Sequence, residues 1–200
     1  MEPFEKELRA RGFRLIAGLD EAGRGPLAGP VVAAAVVLPE AGKLKGIDDS
    51  KKLSAGQRRE VFSLLLRKAS AIGLGLIEAQ EIDRLNILRA SLKAMEMAVG
   101  DLPITPDFLL IDGLHSISLP ISQRAVPQGD RRCLSIAAAS IVAKVTRDRL
   151  MEAYHDKYPE YNFAQHKGYG TKEHLQAIRK YGCCPIHRRS FKTIYQLSLL

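Results

Sequence analysis

Cysteine is scarce: Cys133, Cys183 and Cys184 are the three in 200 residues. Three cannot close an even disulfide framework, adjacent cysteines rarely bridge each other, and the spacing fits no zinc pattern. A reducing, cytoplasmic setting is the expectation. Long apolar runs are missing as well. The run at residues 31–38 falls far short of the roughly 20 residues of a spanning helix, so no membrane is expected. No apolar leader follows Met1, and there is no internal repeat or low-complexity tract. No Gly-x-x-x-x-Gly-Lys-Ser/Thr stands near the early glycines, which removes the phosphate cradle of nucleoside triphosphatases. Acids are outnumbered, 22 against 30 Lys and Arg, for a net charge of +8. That surplus points to an anionic partner, nucleic acid first, though it serves solubility equally well.

What is present is organised around Gly18-Leu19-Asp20-Glu21-Ala22-Gly23-Arg24-Gly25-Pro26-Leu27-Ala28-Gly29-Pro30. Residues 13–20 before it and 29–38 after it read as strands, the second valine-rich and a natural hairpin partner of the first. Ser54 is a plausible N-cap for a helix over 57–68. Residues 71–77 and 108–111 read as further strands, and 120–126 as another. Residues 78–100 hold one or two helices. A long helix over 134–155, rich in small residues in its first half, is placed to pack closely on a sheet. Residues 158–171 read as an ordered loop and 172–180 as a helix. The alternation predicts an α/β fold, a central mixed sheet with helices on its faces.

Acids recur where apolar strands end: Asp20 and Glu21 after the first strand, Asp112 after Phe108-Leu109-Leu110-Ile111, with Asp130 at the entry to the long helix. A carboxylate there is costly unless it is paired or binds a cation. Oxygen donors at this density suit Mg²⁺ or Mn²⁺, and the lack of His and Cys ligation speaks against zinc. Two such ions about 3.5–4 Å apart clamp a phosphodiester. The plainer alternative is that these acids cap helices or pair with Arg and Lys, and for Asp130 an N-cap is an ordinary role.

Gly23-Arg24-Gly25 is either a tight connection using positive φ or a bare backbone that a nucleic-acid strand can approach closely. Tyr169, set between glycines in Gln165-His166-Lys167-Gly168-Tyr169-Gly170-Thr171, is either a stacking platform or a lid on the core edge. His187-Arg188-Arg189 is a solvated basic face or a phosphate contact.

Taken together, these segments resemble the type 2 ribonucleases H, the bacterial ribonuclease HII family. The match rests on residues 18–30, Asp49-Ser50-Lys51-Lys52-Leu53, Ile111-Asp112-Gly113, Gly129-Asp130 running into residues 135–148, and His166-Lys167-Gly168-Tyr169-Gly170-Thr171, in the family's order. The resemblance implies a ribonuclease-H-like catalytic core over 1–157 and a helical substrate-binding extension over 158–200. It implies hydrolysis of RNA in RNA–DNA hybrids and incision 5′ of ribonucleotides embedded in duplex DNA, leaving 5′-phosphate and 3′-hydroxyl ends. It maps two Mg²⁺ or Mn²⁺ ions onto Asp20, Glu21, Asp112 and Asp130, recognition of the 2′-hydroxyl onto Gly23, Arg24 and Gly25, and sugar stacking onto Tyr169. Ser50, Lys51, Lys144, Lys167, Arg188 and Arg189 are then candidate substrate contacts, and a monomer is expected. Gln196-Leu197-Ser198-Leu199-Leu200 looks like a sliding-clamp peptide, with Gln196 in a polar subsite and Leu197, Leu199 and Leu200 as helix-free apolar anchors. An apolar tail packing back beside Ile194 is the alternative. The rival functions are another metal nuclease on a similar fold, which would cut DNA lacking ribose, and a non-catalytic nucleic-acid-binding protein, in which clustered acids would repel phosphate.

Overall fold

The strand Val31–Val37 has no polar residue, so both of its faces need cover, and both receive it. The computed structural model describes residues 3–40 and 53–197. Ser50, Lys51, Leu199 and Leu200 therefore lie outside the described residues, as does most of the loop expected at 39–46. Five strands, β1 (Ile16–Ala22), β2 (Val31–Val37), β3 (Ala71–Ile77), β4 (Phe108–Asp112) and β5 (Ser122–Val126), form one sheet in the order β3-β2-β1-β4-β5. β2 runs antiparallel to β1 and β3, whereas β4 is parallel to β1 and β5. The expected α/β architecture with a mixed sheet is the one observed.

Alternation along β2 divides the core. Ala33, Ala35 and Val37 pack with Ala94, Met95 and Ala98 of α4 (Ile87–Gly100). Ala34 and Val36 pack with Ala138, Ile141 and Val142 of the long helix α5 (Leu134–Lys157) and with Phe62 and Leu65 of α2 (Ala55–Lys68). Ser54 caps α2 in a capping box with Gln57, as the sequence suggests. The 78–100 stretch is two helices, α3 (Ala79–Leu85) and α4. Asn86 ends the first at φ +70° and caps the second through the Arg89 N–H.

Three expectations change. β1 begins at Ile16 rather than residue 13, because Phe13 turns to stack edge-on against Phe108. It also continues through Glu21 and Ala22, which pair only with β2, so the two acids lie inside a strand and not past its end. Asp130 is not the cap of α5. It is buried in a one-turn 3-10 helix, Gly129–Arg131, and the N-terminus of α5 takes its carboxylate from Glu5 of α1 (Pro3–Ala10), which accepts from the Ser135 N–H and hydroxyl.

α5 lies unusually close to β1. A Cβ on Gly18 would overlap the backbone of Ser135. Residues 158–197 supply α6 (Phe163–His166) within the stretch expected as loop, α7 (Lys172–Tyr181) and α8 (Lys192–Leu197). Their core of Tyr161, Phe163, Ile178, Cys184 and Ile194 includes Leu27 and Ala28 from the segment after β1, and Ala28 bridges to His187. α8 takes Gln196 and Leu197 into a helix, which corrects the extended anchors expected there. Leu197 packs against that core while Gln196 is exposed. Among the described residues no helix is long and apolar enough to cross a membrane.

Candidate active site

β1 and β4 are parallel neighbours in register at Leu19–Ile111, and the next residue on each is an acid, Asp20 and Asp112. Topology thus sets two carboxylates side by side, with Glu21 adjoining. Asp20 is 7 % exposed. Burial first, then the charges of Glu21 and Asp112, push its carboxyl well above the usual carboxylate range, opposed by the Ser140 hydroxyl of α5. Burial also raises Glu21, against the opposing pull of Arg24, whose Nη1 lies 3.1 Å from Glu21 Oε1. Asp112 Oδ1 accepts from the Gly129 N–H at 2.6 Å, which draws the turn bearing Asp130 to the end of β4. Like charges forced together at low exposure are unfavourable by themselves and are relieved by a hard cation. The donors, all carboxylate oxygens, match Mg²⁺ or Mn²⁺ in kind. Among the described residues no three acidic, His or Cys side chains already converge into a finished ion cage. The fit is therefore one of charge and chemistry, and an ion would have to draw the carboxylates in.

A cleft of about 380 Å³ opens beside these acids. Glu21, Gly23, Arg24, Gly25, Lys144 and Tyr169, all singled out in the sequence, line it. Tyr169 is 48 % exposed, and the position of a Cβ on Gly25 lies 3.6 Å from its Cε1, so the ring faces the glycine turn directly. Gly23 has φ +101°, and a Cβ there would overlap the Arg147 guanidinium. Both properties demand glycine.

The basic residues sort differently from expectation. Arg188, expected to touch phosphate, is 0 % exposed. Its guanidinium donates to the carbonyls of Gly23 (2.6 Å), Arg24 (3.1 Å), Pro26 (2.8 Å) and Gly29 (2.9 Å). Arg147, which no sequence argument singled out, donates to Ala28, Pro30 and Lys167, each at 3.0 Å. Burial lowers Arg188 to about 9 and Arg147 to about 10, so both stay cationic at neutral pH. Two arginines thus gather the carbonyls of residues 23–30. With every peptide of the described residues trans, a carbonyl turned inward turns the following N–H outward. The N–H groups of Arg24 and Gly25 consequently face away from Arg188.

Lys144 lines the cleft and is paired with Asp148 at 2.6 Å. Lys167 is paired with Glu152 at 2.7 Å and borders an adjoining depression with Arg58 and Arg59. Arg189 lies elsewhere, beside Ile194 and Tyr195. Ser140, Arg58 and Arg147 are additions to the site. A signal for Arg147 was available: Ala143, Arg147 and Met151 fall four apart on a fully buried helix face, where a cation needs acceptors.

Comparison with known proteins agrees with this geometry. The sequence model described as Ribonuclease HII matches residues 17–194. Ribonuclease HII of Syntrophus aciditrophicus is 59% identical over 192 residues, which is 96% of this chain and 91% of that protein. The crystal structure of ribonuclease H2 from Pyrococcus horikoshii superposes with a TM-score of 0.78 at 30% identity, covering 92% of this chain and 97% of that one. The RNase HII of Archaeoglobus fulgidus, solved as a complex with PCNA, shares the fold with a TM-score of 0.76 at 23% identity, covering 89% and 95%. Acids on adjacent parallel strands, the arginine-held glycine turn and these matches lead to one statement: the chain belongs to the ribonuclease HII family, metal-dependent endonucleases that cleave the RNA strand of RNA–DNA hybrids.

Proposed function

We propose that this protein incises duplex DNA 5′ of embedded ribonucleotides, besides cutting RNA in hybrids, and leaves 5′-phosphate and 3′-hydroxyl ends. The observation that carries the reading is the glycine turn. Arg188 holds the Gly23 and Arg24 carbonyls inward, which turns the N–H groups of Arg24 and Gly25 away from it, and these two residues line one cleft with Glu21 and Tyr169. Backbone donors at that place suit a 2′-hydroxyl, the group that separates RNA from DNA. Tyr169 stacks on the sugar. Asp20, Glu21, Asp112 and Asp130 would hold two Mg²⁺ or Mn²⁺ ions. Such ions, when bound, lower the pKa of an attacking water and stabilise the leaving 3′ oxygen. Lys144, Lys167, Arg189, Ser50 and Lys51 contact phosphates or strand ends. Residues 1–157 carry the chemistry and 158–200 the extension that reads the substrate.

The deciding assay is cleavage of a duplex DNA carrying one ribonucleotide, against the same duplex with none, each with Mg²⁺ or Mn²⁺. Cleavage only at the ribonucleotide is expected. Equal cutting of all-DNA duplex would favour a different metal nuclease. Asp112→Asn is expected to abolish turnover while hybrid affinity, measured by anisotropy, stays within about threefold, since one carboxylate oxygen is lost at the metal site and no phosphate contact with it. Wild-type activity in that variant would remove Asp112 from the site.

The finer partner reading concerns the chain's end. Gln196 is exposed on α8 and begins the peptide resembling a clamp motif. The A. fulgidus relative is seen with PCNA. Deleting 196–200 should abolish binding to a bacterial sliding clamp and leave cleavage of free oligonucleotides intact; unchanged clamp affinity ends the idea. Three free thiols suit a reducing cytoplasm, and we take the protein to act there as a monomer.

A further inference from the structure

Three histidines lie in the extension where the chemistry does not use them. His174 and His187 are 0 % and 2 % exposed and meet Nε2 to Nε2 at 3.0 Å, while His166 stacks on His174 with ring centroids 4.5 Å apart. The partners fix the proton on each ring. His174 Nδ1 lies 2.9 Å from the Tyr169 carbonyl, which only accepts, so Nδ1 carries the hydrogen and Nε2 of the neutral ring is an acceptor. His187 must then donate from Nε2, leaving its Nδ1 to accept the Cys184 N–H at 3.0 Å and to face Cys184 Sγ at 3.1 Å. His166 is also settled: Nδ1 accepts the Gly168 N–H, and Nε2 donates to the Tyr161 carbonyl at 2.7 Å. The result is a one-way chain of hydrogen bonds, Cys184 to His187 to His174 to the Tyr169 carbonyl.

We infer that this chain makes His174 and His187 positioning residues for Tyr169. The ring of Tyr169 is half exposed, so its direction over the cleft follows its backbone. That backbone is held at the Tyr169 carbonyl by His174 and the Thr171 N–H, at its N–H by the His166 carbonyl, and one residue earlier by the Leu27 N–H on Gly168. The His174 bond runs on through His187 to Cys184, a line separate from the His166 contact, which leads to Tyr161.

An extra proton works against this arrangement. Charging His174 opposes two N–H groups across 3.0 Å, and charging His187 costs the bond its Nδ1 accepts from the Cys184 N–H at 3.0 Å, with the Cys184 carbonyl at 3.3 Å as the longer replacement. The titratable and charged groups facing the pair are His166, Arg189, Cys184 and Tyr161, with Glu173 beside His166 and Cys183 and Glu160 beside Cys184. Burial lowers both histidines to about 4, in keeping with neutral rings at physiological pH.

The functional half rests on the proposed role of Tyr169; the structural half does not. Imidazole ¹⁵N–¹H correlation spectra of the ¹⁵N-histidine protein at pH 5.5 and 7.5 should show His174 as the Nδ1–H tautomer and His187 as Nε2–H, both neutral at both values. The reverse tautomers, or a charged ring at pH 5.5, overturn the chain. On duplex DNA with one ribonucleotide, His174→Leu should raise KM about tenfold with kcat within about twofold, the cost of one lost hydrogen bond. His174→Asn, whose amide restores the Nδ1–H donor, should recover most of that loss. In a Tyr169→Ala background His174→Leu should add nothing, and an additive loss there overturns the positioning role. A wild-type protein inactive on this duplex would refute the substrate reading of Tyr169, and with it the functional half, while the spectra decide the structural half independently.

Discussion

At the scale of single residues, the site depends most on two side chains that touch no solvent. Arg188 and Arg147 spend their donors on peptide carbonyls and so convert a flexible glycine turn into a fixed surface. Arginine suits this work because its planar fork carries five donors, whereas a lysine ammonium is one point charge. Arg188→Lys should therefore fail nearly as badly as Arg188→Met. Both are expected to lose about 3 kcal/mol or more of stability, since several buried carbonyls lose partners, and to lose most cleavage. Urea denaturation and the single-ribonucleotide assay check this, and a lysine variant of wild-type stability would show that the fork geometry is not needed. The thiols are quieter. Burial pushes Cys184 to about 11 and Cys133 to about 12, so neither is a nucleophile at neutral pH.

At the scale of elements, much was legible. Valine-rich β2, the Ser54 cap, the apolar Phe108–Ile111 run and the small-residue half of α5 each carry their own period or cap signal. The juxtaposition of Asp20 with Asp112 followed once two strands were expected to end in acids. Less was legible where a residue's role depends on distant chain. Arg188 sits in a run of basic residues that looks like surface, and its burial is set by carbonyls 159 to 165 positions away. Asp130 resembles an N-cap locally, but Glu5, 130 residues upstream of Ser135, already holds the start of α5. The close fit of α5 to β1 also makes a prediction. Gly18→Val drives a branched side chain into the Ser135 backbone, so α5 must lift, taking Ser140, Lys144 and Arg147 with it. A loss of about 3 kcal/mol is expected, together with lost cleavage; a stable, active variant would show that the strand and helix can separate without cost.

At the scale of the whole molecule, the net charge of +8 and the histidines set how the protein responds to its medium. If phosphates are met by Lys and Arg, hybrid affinity should fall about a hundredfold or more between 50 and 200 mM salt, and a flat titration would argue for an interface not led by phosphate. Acid should act through His174 and His187. Their folded values of about 4 lie below the ordinary 6.5, so the unfolded chain binds more protons in between. Stability from this pair is complete above pH 6.5 and drains away as pH falls toward 4. Urea midpoints at pH 7.5 and 4.5 for wild type and His187→Gln isolate the effect, because the acids of the site are common to both; the variant should show the smaller drop. The arginine clamp carries one more consequence, in time rather than space. Arg188 lies 165 residues downstream of Gly23. A chain emerging from the ribosome presents its glycine turn early, yet cannot set that turn until residue 188 has followed. A chain cut short before residue 188 would carry Asp20, Glu21, Asp112 and Asp130 but could not draw the Gly23 and Arg24 carbonyls inward.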